Sequence, residues 1–307
     1  MNSGTTNIIA DKSNTTFTGN TDNTGSNAIC NYRGTVNLNA GEAKIVFNDG
    51  IDGYDSSIAN NIININNTGM KMADGTNAAP TTGTVEINNE VKNNTVNMYN
   101  GPLLLGTNTQ NGTLYSGTFA DSVDFNYNGG TVSLQNGSIN SANLGKLTLN
   151  NDMDLRLDVN FAEQTLDTIT VDGFTANGNN INISNILILQ PTTEKSFSIS
   201  PIGNMSDNDL KNSLAGAIQY TGGEIVHSLI YRYTANYDPT TAMLNFGLAG
   251  GGTNPGYDSF NPSVMASSVA AQLGGYLVQL NAYDEAFRNM DMYMLMTKKT
   301  TSGNATP

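Results

Sequence analysis

Charge is scarce in this chain. Its 307 residues hold 13 Lys and Arg against 26 Asp and Glu. Charged residues are 13% of the total, about half the share usual in a soluble domain. The net charge of −13 argues against nucleic acid, where cations must neutralise phosphates. It argues equally against a polybasic grip on anionic lipid. One cysteine, Cys30, excludes a disulfide framework and any cysteine-based metal cluster. One histidine, His227, excludes the common histidine-rich metal sites. Tryptophan is absent. No apolar run approaches the roughly 18 residues of a membrane helix. The start, Met1 to Asn7, has neither a basic region nor an apolar stretch of signal-peptide type. At face value this describes an acidic cytosolic protein; the alternative is a piece cut from a longer precursor.

What fills the gap is asparagine, 47 residues, with 32 glycines. Hydrophobics remain at 38% and fall in short, regularly spaced runs, which is not the pattern of disorder. From about residue 7 to residue 190, strand-like runs of four to six residues alternate with Asn, Gly or Asp. In the run GTVNLN, Val36 and Leu38 point one way, while Thr35, Asn37 and Asn39 point the other. That period of two marks half-buried strands. Ten or more such runs with no long helix between them predict an all-β fold, either a sandwich or a solenoid.

The recurring phrase GTV-polar-apolar-Asn at Gly34, Gly83 and Gly130 favours a solenoid, a right-handed parallel β-helix. Asparagine suits it twice over. It tolerates left-handed backbone at corners, and its amides stack in hydrogen-bonded ladders. Coils of about 20–25 residues predict eight or nine turns and a rod of roughly 40 Å.

The organisation read from the sequence has six parts. Residues 1–200 form the parallel β-helix. Residues 201–216 hold a short helix, with Ser206 as N-cap and Gly216 past its end. Residues 217–248 form a C-terminal β cap around the Asp238-Pro239 turn, rich in aromatics such as Tyr233, Tyr237 and Phe246. Residues 249–262 are a glycine-rich linker. Residues 263–297 form a long α-helix. Val269, Leu273, Tyr276, Leu280, Tyr283, Phe287, Met290 and Met294 follow at alternating steps of four and three, a continuous apolar seam. Residues 298–307 are a polar tail.

The segment NPSVMASSVAAQLGGYLVQLNAYDEAFRNMDMYMLMTKK, from Asn261 to Lys299, closely resembles the stretch before the translocator barrel of bacterial autotransporter-like surface proteins. YRYTANYDPTTAMLNF, ending at Phe246, and NLGKLTLNNDMDLRLDVNFAEQTLDTITVDGF, ending at Phe174, resemble the end of their passengers. Phe17-Thr18-Gly19-Asn20 matches the F-x-x-N repeat of polymorphic outer-membrane passengers. Gly25-Ser26-Asn27-Ala28-Ile29 is a degenerate form of the companion G-G-A-I repeat. The resemblance implies a secreted β-helical passenger at the surface of a diderm bacterium, structural or adhesive. It implies an outer-membrane β-barrel partner in the intact precursor, with both signal peptide and barrel missing here. It also leaves host or cell-surface ligands as partners, and the seam from Val269 to Met294 as a self-association surface.

No residue is assigned as catalytic, cofactor-binding or metal-binding. Asp152, Asp154 and Asp158 could serve a β-helix polysaccharide lyase or hydrolase, but they alternate with Met153, Leu155 and Leu157 and read as outward acids. An enzyme of that kind needs acids with basic or aromatic partners on one face of three adjacent coils. A self-assembling structural solenoid is a further alternative. Asp49-Gly50, Asp52-Gly53 and Asp74-Gly75 read as turns, because none fits a calcium loop. The glycine-rich linker lacks the lysine and the βα setting of a phosphate loop. His227 reads as a strand histidine with no nucleophile near it in sequence. Cys30 reads as a small buried residue. The Asn14-Thr15-Thr16 sequon reads as a chance product of composition.

Overall fold

The computed structural model describes residues 4–18, 27–54, 61–66, 81–110, 112–190, 196–222, 225–226 and 232–248. Among the described residues the fold is mostly β, with parallel sheets and one short helix.

The chain visits three strand positions in rotation. The first face stacks Thr5–Ile9, Thr35–Asn39, Ile62–Ile65, Thr95–Met98, the end of Thr118–Tyr127, the end of Ser141–Leu149, and Gly173–Thr175, all parallel. The second face stacks Thr15–Phe17, Lys44–Phe47, Thr84–Ile87, Pro102–Leu105, Thr131–Ser133, Met153–Asn160 and Ile181–Gln190. Ile218–Tyr220 adds an eighth parallel strand there. The third face runs from Asn27–Cys30 through Gly50–Asp52 and Glu90–Lys92 to the start of Thr118–Tyr127.

In-register pairing turns the sequence alternation into columns. On the first face Val36, Ile63, Val96, Phe125 and Leu147 share one register and are buried. On the second, Ile45, Val85, Leu103, Val132, Leu155 and Ile183 do the same. A single core therefore runs between the faces. Each buried branched side chain contributes about 1.5–3 kcal/mol by leaving water. Ion pairing adds little: the three salt bridges among the described residues are partly exposed.

The spacing in sequence between stacked strands differs from the expected coil length. Thr5 and Gly173 lie 168 positions apart over six steps, about 28 residues per step rather than 20–25. Seven strands on this face span about 30 Å at the usual strand spacing. The additional residues sit in excursions, such as the antiparallel hairpin of Thr107–Gln110 and Thr113–Ser116.

The helix spans Asn208–Ala217. Asp207 is its N-cap, accepting from the backbone N–H of Asp209 (2.9 Å) and of Leu210 (3.0 Å). That corrects the expected Ser206 cap and puts Gly216 inside the helix. Asp207 is the last residue with extended backbone, and its carboxylate reaches the free N–H groups directly.

Behind the helix lies a four-stranded antiparallel sheet, ordered Ser196–Ile199, Met243–Leu248, Arg232–Asp238, Ile225–Val226. The Asp238-Pro239 turn is present, with Thr240 N–H donating to Asp238 Oδ1 at 2.9 Å. Ser196–Ile199, read from sequence as part of the first 200 residues, joins this sheet. Phe161 connects the two regions. Its ring meets Tyr233 at 4.4 Å, Phe197 at 4.7 Å and Phe246 at 5.2 Å between centroids. Tyr237 donates its hydroxyl to the Ala215 carbonyl at 3.0 Å, tying the sheet to the helix. Burial pushes that phenol up to about 12. The linker, the long helix with its seam, His227 and Asp74-Gly75 all lie outside the described residues.

Candidate functional site: an asparagine ladder and a buried acid pair

Five asparagines occupy one outward position of the first face: Asn7, Asn37, Asn64, Asn97 and Asn126. From Asn37 onward, each side-chain Nδ2 donates to the Oδ1 of the asparagine one step nearer the N-terminus. The distances are 2.8 Å for Asn37 to Asn7, 2.8 Å for Asn64 to Asn37, 3.0 Å for Asn97 to Asn64 and 2.9 Å for Asn126 to Asn97. Thr148 and Thr175 continue the column. An asparagine amide carries two donors and an acceptor with two lone pairs. One donor and one lone pair of each inner asparagine are used along the column. The remainder faces outward, because these residues are half-exposed. The result is a neutral row of hydrogen-bonding groups at the strand repeat of about 4.8 Å.

A second set of asparagines works inside the corners. Asn66 is buried and left-handed, at φ 52°. It accepts from Ala40 N–H at 3.1 Å and donates to the Asn100 carbonyl at 3.0 Å. Asn61 accepts from Arg33 N–H at 2.7 Å and donates to the carbonyls of Gly53 (2.7 Å) and Asn93 (3.1 Å). These amides satisfy backbone groups that bends would otherwise orphan. Gly53 is required here, because a Cβ would lie 1.8 Å from the Asn93 carbonyl oxygen.

The candidate acids separate. Asp152 is exposed and accepts from Asn180 N–H at 2.8 Å. Asp154 is half-buried, accepts from Thr131 Oγ1 at 2.6 Å, bonds Ser184 Oγ, and pairs with Arg156 at 3.5 Å. Its register column on adjacent strands is Thr131, Asp154, Asn182. Asp158 departs from the expectation of an outward acid: it is fully buried. The strand Met153–Asn160 runs past the end of its neighbour and is covered on both sides, so Leu157 to Asn160 are all buried.

Asp158 and Asp167 form a buried pair that alternation did not reveal. Asp167 Oδ2 accepts from Asp158 N–H at 2.6 Å, and its Oδ1 accepts from Asn140 N–H at 2.8 Å. Asp158 Oδ2 accepts from Gly137 N–H at 2.8 Å. Burial raises Asp167 to about 8 against the opposing pull of its two backbone donors. Burial raises Asp158 as well. The one available sequence signal was the strand's length, since residues 153–160 exceed what one level of the stack needs.

Other candidates resolve simply. Asp52 accepts from Tyr54 N–H at 2.8 Å and from Asn93 Nδ2 at 2.9 Å, a turn role. Asp49 is buried and accepts from Gly50 N–H at 2.8 Å. Cys30 is exposed rather than buried, because its neighbour Ile29 takes the inward position. Among the described residues no group of three or more His, Cys, Asp or Glu could hold a metal ion. Within the same set no helix is long and apolar enough to cross a membrane. An exposed aromatic patch sits on one corner: Tyr32 meets Tyr54 edge-on at 5.8 Å, with the Arg33 guanidinium 5.5 Å from the Tyr32 ring.

Comparison with family models, curated proteins and solved structures found no match to this chain.

Proposed function

We propose that this chain is the passenger region of an autotransporter-like protein, displayed at the bacterial outer surface and structural or adhesive rather than catalytic. In this reading the stacked parallel faces close into a right-handed β-helix, and the antiparallel sheet caps it. The observation that carries the reading is the asparagine ladder. A repeated neutral face is suited to multivalent contact with a repetitive surface, each contact weak and the sum strong. The exposed Tyr32–Arg33–Tyr54 corner offers a stacking contact as well. Low charge also avoids like-charge columns, which in-register stacking would otherwise build. In the intact precursor a β-barrel is the partner, and residues 263–297 lead into it. Without the barrel, the seam from Val269 to Met294 promotes self-association.

Antibody labelling of intact producing cells tests the location. Labelling without permeabilisation is expected. Labelling only after the outer membrane is opened overturns the reading. Sedimentation of the chain with and without residues 262–307 tests the seam, and a monomer in both cases removes it.

A further inference from the structure

The buried Asp158 faces a backbone bond with unusual chemistry. The chain holds five Asn–Gly pairs, beginning at Asn100, Asn111, Asn128, Asn136 and Asn177. At such a pair the glycine nitrogen can attack the asparagine side-chain carbonyl, because no Cβ obstructs the approach. The reaction is ordinarily slow. An amide N–H is a poor nucleophile, and the amide oxygen must take up charge.

We propose that Asn136-Gly137 is a self-modification site, in which Asp158 acts as the general base for closure of Asn136 to a succinimide. Three hydrogen bonds place the parts. Gly137 N–H, the nucleophile, donates to Asp158 Oδ2 at 2.8 Å. Ser138 N–H donates to Asn136 Oδ1 at 3.0 Å, the oxygen on which charge develops. Asn136 Nδ2, the leaving nitrogen, is held by the Asn140 Oδ1 at 3.0 Å and the Leu105 carbonyl at 3.2 Å. Nucleophile and oxyanion donor thus lie on one loop, and the base reaches it from the strand Met153–Asn160.

The atoms balance as follows. The Gly137 N–H proton passes to the ionised Asp158 carboxylate as the nitrogen bonds to Asn136 Cγ. The Cγ–Nδ2 bond then breaks. Ammonia leaves with the proton returned by Asp158, and a five-membered imide remains. Water opens the ring at either carbonyl to give aspartate or isoaspartate. Gly137 and Ser138 are exposed, so water reaches the imide. Burial holds the Asp158 carboxyl above its ordinary range, which makes its carboxylate a stronger base.

The chain carries its own control. Asn177-Gly178 is an exposed pair with Gly178 at φ 81° against 83° for Gly137; it differs in that Asn177 is itself left-handed, at φ 50°, and more exposed than the half-buried Asn136. Asn177 Nδ2 donates to the Leu149 carbonyl at 3.0 Å, and no carboxylate contact to Gly178 N–H accompanies it among the described residues.

The test is peptide mapping by mass spectrometry on the full folded chain, incubated at neutral to mildly alkaline pH. Ammonia loss and isoaspartate are scored at both pairs. Asn136 is expected to convert several-fold faster than Asn177, and the difference is expected to vanish in denaturant. Asp158→Asn keeps an acceptor for Gly137 but removes the base, and is expected to slow Asn136 by about a hundredfold while leaving Asn177 unchanged. Equal rates at the two pairs in the folded chain overturn the proposal, with or without a folded variant. So does a folded Asp158→Asn chain with an unchanged Asn136 rate.

Discussion

Asn97 donates its side-chain amide to Asn64 Oδ1 at 3.0 Å across 33 residues of sequence. Asn64 in turn donates to Asn37 at 2.8 Å, across 27. The steps are unequal in sequence and equal in space. Backbone pairing sets the spacing along the stack, while the loops between strands absorb the difference in length.

Asn64→Ala removes two ladder bonds, one given and one received. A loss of about 1–3 kcal/mol is expected in urea unfolding, since each bond is worth about 0.5–1.5 kcal/mol. Asn7→Ala removes one bond at the exposed end of the column and is expected to cost less than half as much. Equal costs for the two would mean that the ladder does not act as a connected row.

Phe161 is fully buried among three rings contributed by the antiparallel sheet. Phe161→Ala is expected to cost about 3–5 kcal/mol. Hydrogen exchange checks where the loss falls. Protection should drop first in Arg232–Asp238 and Met243–Leu248, while Thr35–Asn39 stays protected.

Gly53→Ala places a Cβ 1.8 Å from a carbonyl oxygen and 2.6 Å from the buried Asn61 amide. The corner must open to admit it, at a cost of about 1–3 kcal/mol or more. Thermal unfolding measures this, and Gly178→Ala is the comparison. That site has open space but a left-handed backbone, so the smaller loss there reflects φ alone.

Asp167 gives the fold a pH dependence of definite sign. Its folded value is raised from 3.8 to about 8, mainly by burial. The folded chain therefore holds a proton that the unfolded chain releases. Its contribution is fully present below about pH 4, declines as pH rises, and is lost on passing about pH 8. Urea midpoints are expected to fall between pH 5 and pH 9. Asp167→Asn is expected to flatten that slope. It also lowers stability at pH 5, because its amide nitrogen cannot accept from both Asn140 and Asp158.

Most of the fold was legible in local pattern. Thr-Val-Asn-Leu at residues 35–38 alternates as written, and Val36 and Leu38 are buried while Asn37 faces out. Asparagine at corners was legible too, from its tolerance of left-handed backbone; Asn66, Asn93 and Asn177 take it. The acid pair was not legible. Alternation assigns a side chain to a face only while that face meets solvent. At Asp158 the outer face is covered by the loop at Gly137 and by the return through Asp167, contacts made from 21 and 9 positions away.

The sequence by itself determined the kind of local structure, short alternating strands broken by asparagine and glycine, because period and turn chemistry are local properties. Tertiary structure alone decided which asparagines align in a column, which acid is buried, and how many residues separate successive strands of a face. Those depend on register between segments roughly 30 residues apart, and register is set by packing of the shared core rather than by any segment alone.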